Sequence, residues 1–236
     1  MPLMYIILMY HLLIVCEKMW LKHYAGRLFG VNLEPVSDDA VLGERSDVSD
    51  GRKASVETAK KAIELGFDFI LLTGNPGTGV INEKIIDVIK EINDACWEQL
   101  IIMAGKMYAA GSKDEGGENI ITKENVEDFV QAGADVVLLP TPGTAPGINL
   151  EYGSKIVRKI HKCGALALSA IGTSQEGASI ETIRQIALMC KMMGVDIHHI
   201  GNVAVGGMDP ISLFEYNITI KGKRQTFKRM ARSVNR

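Results

Sequence analysis

Lys106 closes an otherwise apolar run, Leu100-Ile101-Ile102-Met103-Ala104-Gly105. A lysine there could activate a carbonyl as an amine, or stand as a fixed cation for a phosphate or carboxylate. It could also snorkel to the surface from a strand rim. Asn32 and Glu34 lie two apart near the end of a second apolar run, stopped by Pro35, so they share a face. Glu34 could be an acid or base, or join Asn32 in holding a divalent cation such as Mg through oxygen. His198 and His199 are adjacent, so only one of them can face a sheet's interior side. His198 is taken as the catalytic candidate, and a core histidine is the plain alternative.

Glycine-rich turns follow several of the apolar runs. Gly172-Thr173-Ser174 stands before a helix start, where N–H groups and hydroxyls could be aimed at an anion. Gly201, Gly206 and Gly207 follow the last run, and Thr73 and Asn75 belong to Thr73-Gly74-Asn75-Pro76-Gly77-Thr78-Gly79. These residues are the candidate phosphate and substrate contacts. A nucleotide-binding P-loop needs Lys-Ser/Thr after its last glycine; Val80-Ile81 stand there. Thr73-Gly74-Asn75 resembles the second motif of haloacid-dehalogenase-type phosphatases, but the chain holds no Asp-x-Asp nucleophile. No His, Cys and Asp spacing makes a strong zinc site.

Positioning such residues at one rim requires a repeated architecture. Glu64-Leu65-Gly66-Phe67-Asp68-Phe69-Ile70, Gln131-Ala132-Gly133-Ala134-Asp135-Val136-Val137 and Met192-Met193-Gly194-Val195-Asp196-Ile197-His198 repeat one pattern. Each is a helix end, a glycine stop, an Asp, then a strand. The apolar runs lack polar alternation, so both faces are buried, as in a parallel sheet. About six strands, near Phe29, Ile70, Ile102, Val137, Leu166 and Ile197, alternate with helices starting at Ser55, Asn82, Thr122, Asn149, Ser179 and Asp209. A (β/α)8 barrel has eight strands and about 250 residues, so the expectation is an incomplete barrel containing the third to eighth strands. The deficit is assigned to the N-terminus, because phosphate sites in many barrels lie after the last two strands. Residues 1–19 form an apolar leader around Met4–Cys16, read as a core helix or strand or the product of a misplaced start codon; a membrane anchor is the other reading. Residues 20–236 form one barrel-type domain.

The net charge of -2 argues against a general polyanion binder. The basic C-terminal stretch, Lys221 to Arg236, reads as a solvated face. Four cysteines without a CxxC pair suit reduced thiols in a cytoplasmic protein. Neither nucleic acid nor a membrane is expected as a partner. The loop Tyr108–Ile121 is a lid candidate.

From about Trp20 onward the chain resembles a poorly characterised bacterial family of barrel proteins. The matching stretches are GRLFGVNLEPV, ELGFDFILLTGNPGTGV, IIMAGKM, LSAIGTSQE, TIRQIAL, GVDIHHIG and RMARSVNR. Members are labelled haloacid-dehalogenase-like hydrolase or phosphoenolpyruvate phosphonomutase-like, and longer ones carry two further N-terminal strands. The resemblance implies a barrel binding a small phosphorylated metabolite, with this chain truncated at its N-terminus. The functional expectation is an enzyme of lyase, aldolase, isomerase or mutase type acting on a phosphosugar or phospho-carboxylate. The alternative is a non-catalytic barrel fragment that binds a metabolite or a partner chain; its open sheet edges would call for pairing, a homo-oligomer included.

Overall fold

Each helix begins where a short polar side chain can take up a backbone N–H left free by the first turn. In the computed structural model, Ser55 accepts from Thr58 N at 3.1 Å, and Thr58 Oγ1 accepts from Ser55 N in return, opening α1 (Val56–Glu64). Asn82 opens α2 (Asn82–Cys96). Thr122 caps α3 (Lys123–Ala132), Asn149 caps α4 (Leu150–Lys162) and Ser179 caps α5 (Ile180–Met193). Asp209 caps α6 (Pro210–Met230), which has Pro at its first turn and a kink at Gly222. Gly133 and Gly194 close α3 and α5 in the left-handed conformation, with φ of 116° and 83°, which a side chain would resist. The structure describes residues 7–9, 28–37, 48–74, 79–96, 98–109, 113–172, 175–200 and 209–231.

Between the helices run parallel strands: β1 (Ile7–Met9), β2 (Phe29–Leu33), β3 (Phe69–Leu72), β4 (Ile101–Gly105), β5 (Val136–Pro140), β6 (Leu166–Ile171) and β7 (Ile197–Ile200). They form one 7-stranded sheet in sequence order, every neighbouring pair parallel. The chain is therefore α/β, with a curled, incomplete TIM-barrel-like sheet alternating with helices. The expected strands β2 to β7 are all present. The apolar leader adds a further one, β1, whose Leu8 pairs with Gly30. Pattern reading could not isolate it, because Met4–Cys16 is apolar throughout and carries no turn residue to punctuate it.

Strand alternation divides the core into two layers. Val31, Leu33, Ile70, Leu72, Ile102, Ala104, Val137 and Leu139 pack with helix residues such as Ile85, Ile89, Val126, Phe129 and Ile156. The opposite face, with Phe69, Leu71, Met103, Val136, Leu138, Leu168, Ala170 and Ile197, packs strand against strand with no helical residue. That second face is the concave one. Burying each of Ile85, Ile89 and Ile92, all fully enclosed, contributes roughly 1.5–3 kcal/mol. Gly30 lies on the concave face where a Cβ would come within 2.2 Å of the Phe69 ring, so only glycine leaves room for that ring.

The repeated aspartate has one role wherever it occurs. Asp68 Oδ2 accepts from Phe29 N, Asp135 Oδ2 from Ile102 N, and Asp196 Oδ2 from Ala167 N, each at 2.9 Å. Each carboxylate stands just before one strand and holds the start of the preceding one, so β3 is stitched to β2, β5 to β4 and β7 to β6. All three stitches lie at the N-terminal end of the sheet, the end associated with stability in barrels. His161 Nε2 lies 2.8 Å from Asp196 Oδ2 and extends the third of them. Among the described residues, no helix is long and apolar enough to cross a membrane.

Candidate functional site

At the opposite end of the sheet the polar groups behave differently. Asn32 alternates with Val31 and Leu33, which face the helices, so its side chain lies on the concave face. It is 1% exposed. Its Oδ1 and Nδ2 are both sealed from solvent with no hydrogen-bond partner among the described residues. Asn32 stands opposite Leu71, and two residues further along that face comes Thr73, whose N donates to Leu33 O at 3.3 Å. Thr73 is 2% exposed, and its hydroxyl is also without a partner among the described residues. Continuing the register, Thr73 stands across from Glu34 and diagonal to Asn32, about 7–8 Å from it, so the three side chains share one wall. Leaving a buried polar group unbonded costs about 1–3 kcal/mol. Buried groups of this kind, together on one wall at the strand ends, call for something else to supply the bonds.

Glu34 follows on the same face and is fully buried. Residues 52–54 run beside it: Glu34 N donates to Arg52 O at 2.7 Å, and Ala54 N donates to Glu34 O at 2.9 Å. This brings the Arg52 guanidinium onto the carboxylate, where Nη2 donates to Glu34 Oε1. Arg52 Nε is buried without a partner among the described residues. Sequence reasoning missed Arg52, which sits after a long acidic loop with no motif around it. The one available signal was that a buried Glu requires a cation within reach. The guanidinium also makes Glu34 and Asn32 a poor seat for Mg, because a cation there would face a fixed positive charge. Among the described residues no group of three or more His, Cys, Asp or Glu is placed to hold a metal ion.

The two histidines divide between the layers. His198 Nδ1 lies 2.8 Å from Tyr216 OH on α6, and the rings meet edge to face at 5.4 Å. It therefore points into the helix layer, away from the concave face. The reason is alternation: Ile197 belongs to the concave cluster, so His198 turns outward and His199 turns back in. The catalytic candidacy given to His198 passes to His199. Burial holds His199 at a pKa of about 4, neutral at physiological pH, and its Nδ1 has no partner among the described residues. Burial likewise lowers His198 to about 4, with Lys221 pushing in the same direction and Asp196 against it.

Lys106 is fully buried, and its ammonium is taken up by the Glu115 carboxylate. Burial lowers its pKa while Glu115 draws it back up. The other Glu115 oxygen accepts from Asn82 N at 3.0 Å, the start of α2. Asn82 Nδ2 reaches Asn125 Oδ1 at 3.2 Å at the start of α3. Lys106 is thus committed on the flank where these helices begin, while the next residue, Met107, joins the concave cluster. Residues 113–121 of the lid candidate are tied down by the same bonds, and Tyr152 OH adds donations to Glu118 O and Ile121 O at 2.9 Å. Gly172 lies at the same rim: a Cβ on it would come 3.4 Å from Met107. Asn75, Thr173, Ser174, Gly201, Gly206 and Gly207 lie outside the described residues.

A family model described as a domain of unknown function (DUF7916) matches residues 17–236. The chain belongs to that family. No curated protein matches it.

Proposed function

For this member of a family without an assigned activity, we propose a metabolic enzyme acting on a small phosphorylated molecule, a phosphosugar or phospho-carboxylate, at the C-terminal rim of its barrel-type sheet. The reaction class is lyase, aldolase, isomerase or mutase. The observation that supports it most is the set of partnerless side-chain atoms on Asn32 and Thr73, both buried, and on half-buried His199, all on the concave face at the end of the strands where barrel enzymes carry their sites. Glu34 is the acid/base, with the Arg52 guanidinium held against its carboxylate. His199, neutral in the working range, donates or accepts a proton or hydrogen bond at the substrate. The phosphate is assigned to the glycine-rich stretches that follow β6 and β7 in the sequence, at Gly172, Thr173, Ser174, Gly201, Gly206 and Gly207, with Asn75 in the stretch that follows β3. Lys106 serves as an anchor for the 113–121 segment rather than as a nucleophilic amine, because its ammonium is already bound by Glu115.

The test is a thermal-shift screen against phosphorylated sugars and phosphoenolpyruvate, with and without Mg²⁺, followed by turnover assays on the hits. Glu34→Gln is expected to keep ligand stabilisation and lose turnover. Ligand stabilisation with no turnover for any compound points instead to a metabolite-binding protein, and absence of any stabilisation removes the proposal.

A further inference from the structure

We infer that the wall formed by β2 and β3 recognises the uncharged, hydroxyl- or carbonyl-bearing part of the substrate, and that the phosphate is held elsewhere. The inference rests on the proposed function for there being a phosphorylated substrate, and it narrows that substrate to a phosphorylated polyol or sugar. Asn32 offers two N–H donors and one acceptor, and Thr73 one hydroxyl that serves as either; none of these atoms has a partner among the described residues. A ligand that satisfies both residues must itself carry donors and acceptors together, as hydroxyl groups do. A phosphate monoester above its second pKa of about 6 has acceptors alone and would leave Asn32 Oδ1 unbonded.

Charge leads to the same ligand. Among the described residues, the ionisable groups placed on this wall by alternation and pairing are Glu34 and Arg52, which are joined to each other, and His199 lies on the same concave side of the sheet as a neutral ring. Opposite charges in contact leave no net positive field, so a phosphate dianion brought there would be buried without compensation. An uncharged hydroxylated chain meets no such penalty. The side-chain atoms of Asn32 and Thr73 are closed to solvent, so a ligand bonded to them is bonded with water excluded from the contacts. Under those conditions a missing hydroxyl is rejected more strongly than in an open cleft.

The experiment titrates the full chain, by calorimetry and thermal shift, with matched probes. They are ribose 5-phosphate and glycerol 3-phosphate as hydroxylated phosphates, phosphoglycolate as a phosphate without carbon-bound hydroxyls, inorganic phosphate as the anion alone, and free ribose and glycerol. Wild type is compared with Thr73→Val, Thr73→Ser and Asn32→Leu. Thr73→Val is isosteric, and Asn32→Leu gives an independent reading should it fail to fold. The expected result is a roughly tenfold loss of affinity for hydroxylated phosphates in Thr73→Val and Asn32→Leu, retention in Thr73→Ser, and unchanged binding of phosphoglycolate and inorganic phosphate throughout. Equal loss of all phosphates in the variants, or no loss for the hydroxylated ones, overturns the inference and leaves the proposed function standing. Binding of free polyols that is lost in the variants, with no phosphorylated probe bound, supports the inference and defeats the phosphate part of the proposed function. No binding of any probe to folded wild type defeats both.

Discussion

The two ends of the sheet are built from similar polar residues put to opposite use. At the N-terminal end, Asp68, Asp135 and Asp196 each hold a backbone N–H of the neighbouring strand. At the C-terminal end, Asn32 and Thr73 are buried and His199 half-buried, and Asn32 Oδ1 and Nδ2, Thr73 Oγ1 and His199 Nδ1 hold nothing among the described residues, although Asn32 and Thr73 lie deeper than any of the three aspartates. Satisfied polar groups fix the register of a parallel sheet; unsatisfied ones cost stability and are retained where a ligand supplies the missing bonds. One end therefore reads as scaffold and the other as site, although both are polar and both punctuate apolar strands.

Mutations can break that contrast, the largest expected effect coming from the Glu34–Arg52 pair at the upper rim. Arg52→Met leaves the fully buried Glu34 carboxylate without its cation, and a loss of about 3–5 kcal/mol is expected in urea denaturation. Glu34→Leu combined with Arg52→Met should recover most of it. A cost below about 1 kcal/mol for Arg52→Met would mean that the pair is solvated and the rim less enclosed than described.

Next in size is the pH dependence. His198 and His199 have folded pKa values of about 4 against an ordinary 6.5. The unfolded chain binds more protons than the folded one between those limits, so stability is fully present above pH 6.5 and declines as pH falls toward 4. The loss is up to about 3 kcal/mol per histidine across that window. His199→Gln should remove its share of the slope in a stability–pH series, and an unchanged slope would place the ring in water.

Smaller effects compare the ends directly. Asp135→Ala frees the N–H of Ile102 and should cost about 1–3 kcal/mol. Thr73→Val removes a buried hydroxyl that bonds to nothing among the described residues, and should leave stability unchanged or raise it by about 1 kcal/mol. A melting temperature that falls in Thr73→Val as far as in Asp135→Ala would erase the distinction between scaffold and site.

Much of the lower end was legible in the chain. The Gly-x-Asp-apolar repeat marks helix stop, stitch and strand together, and Ser55, Thr122, Asn149, Ser179 and Asp209 announce their helices because a cap is a local event. The upper end was legible only in part. Asn32 and Glu34 could be put on one face by counting, and Thr73 by its place at a strand end. Lys106 was readable as a rim lysine, but not its partner Glu115, which comes from a loop nine residues on. Arg52 was invisible for the same reason, since what brings it to Glu34 is the return of the chain alongside β2.

The amino-acid order alone settled where strands and helices alternate, that the strands are parallel, and which side chains share a face, because periods of 2 and 3.6 residues and capping chemistry act within a few residues. Which of the two faces is lined by helices is a property of the assembled layers. So is the division of His198 to Tyr216 and His199 to the concave side, the commitment of Lys106 to Glu115, and the pairing of Glu34 with Arg52. Those contacts join residues whose separation is set by how the sheet curls, and no local pattern encodes that.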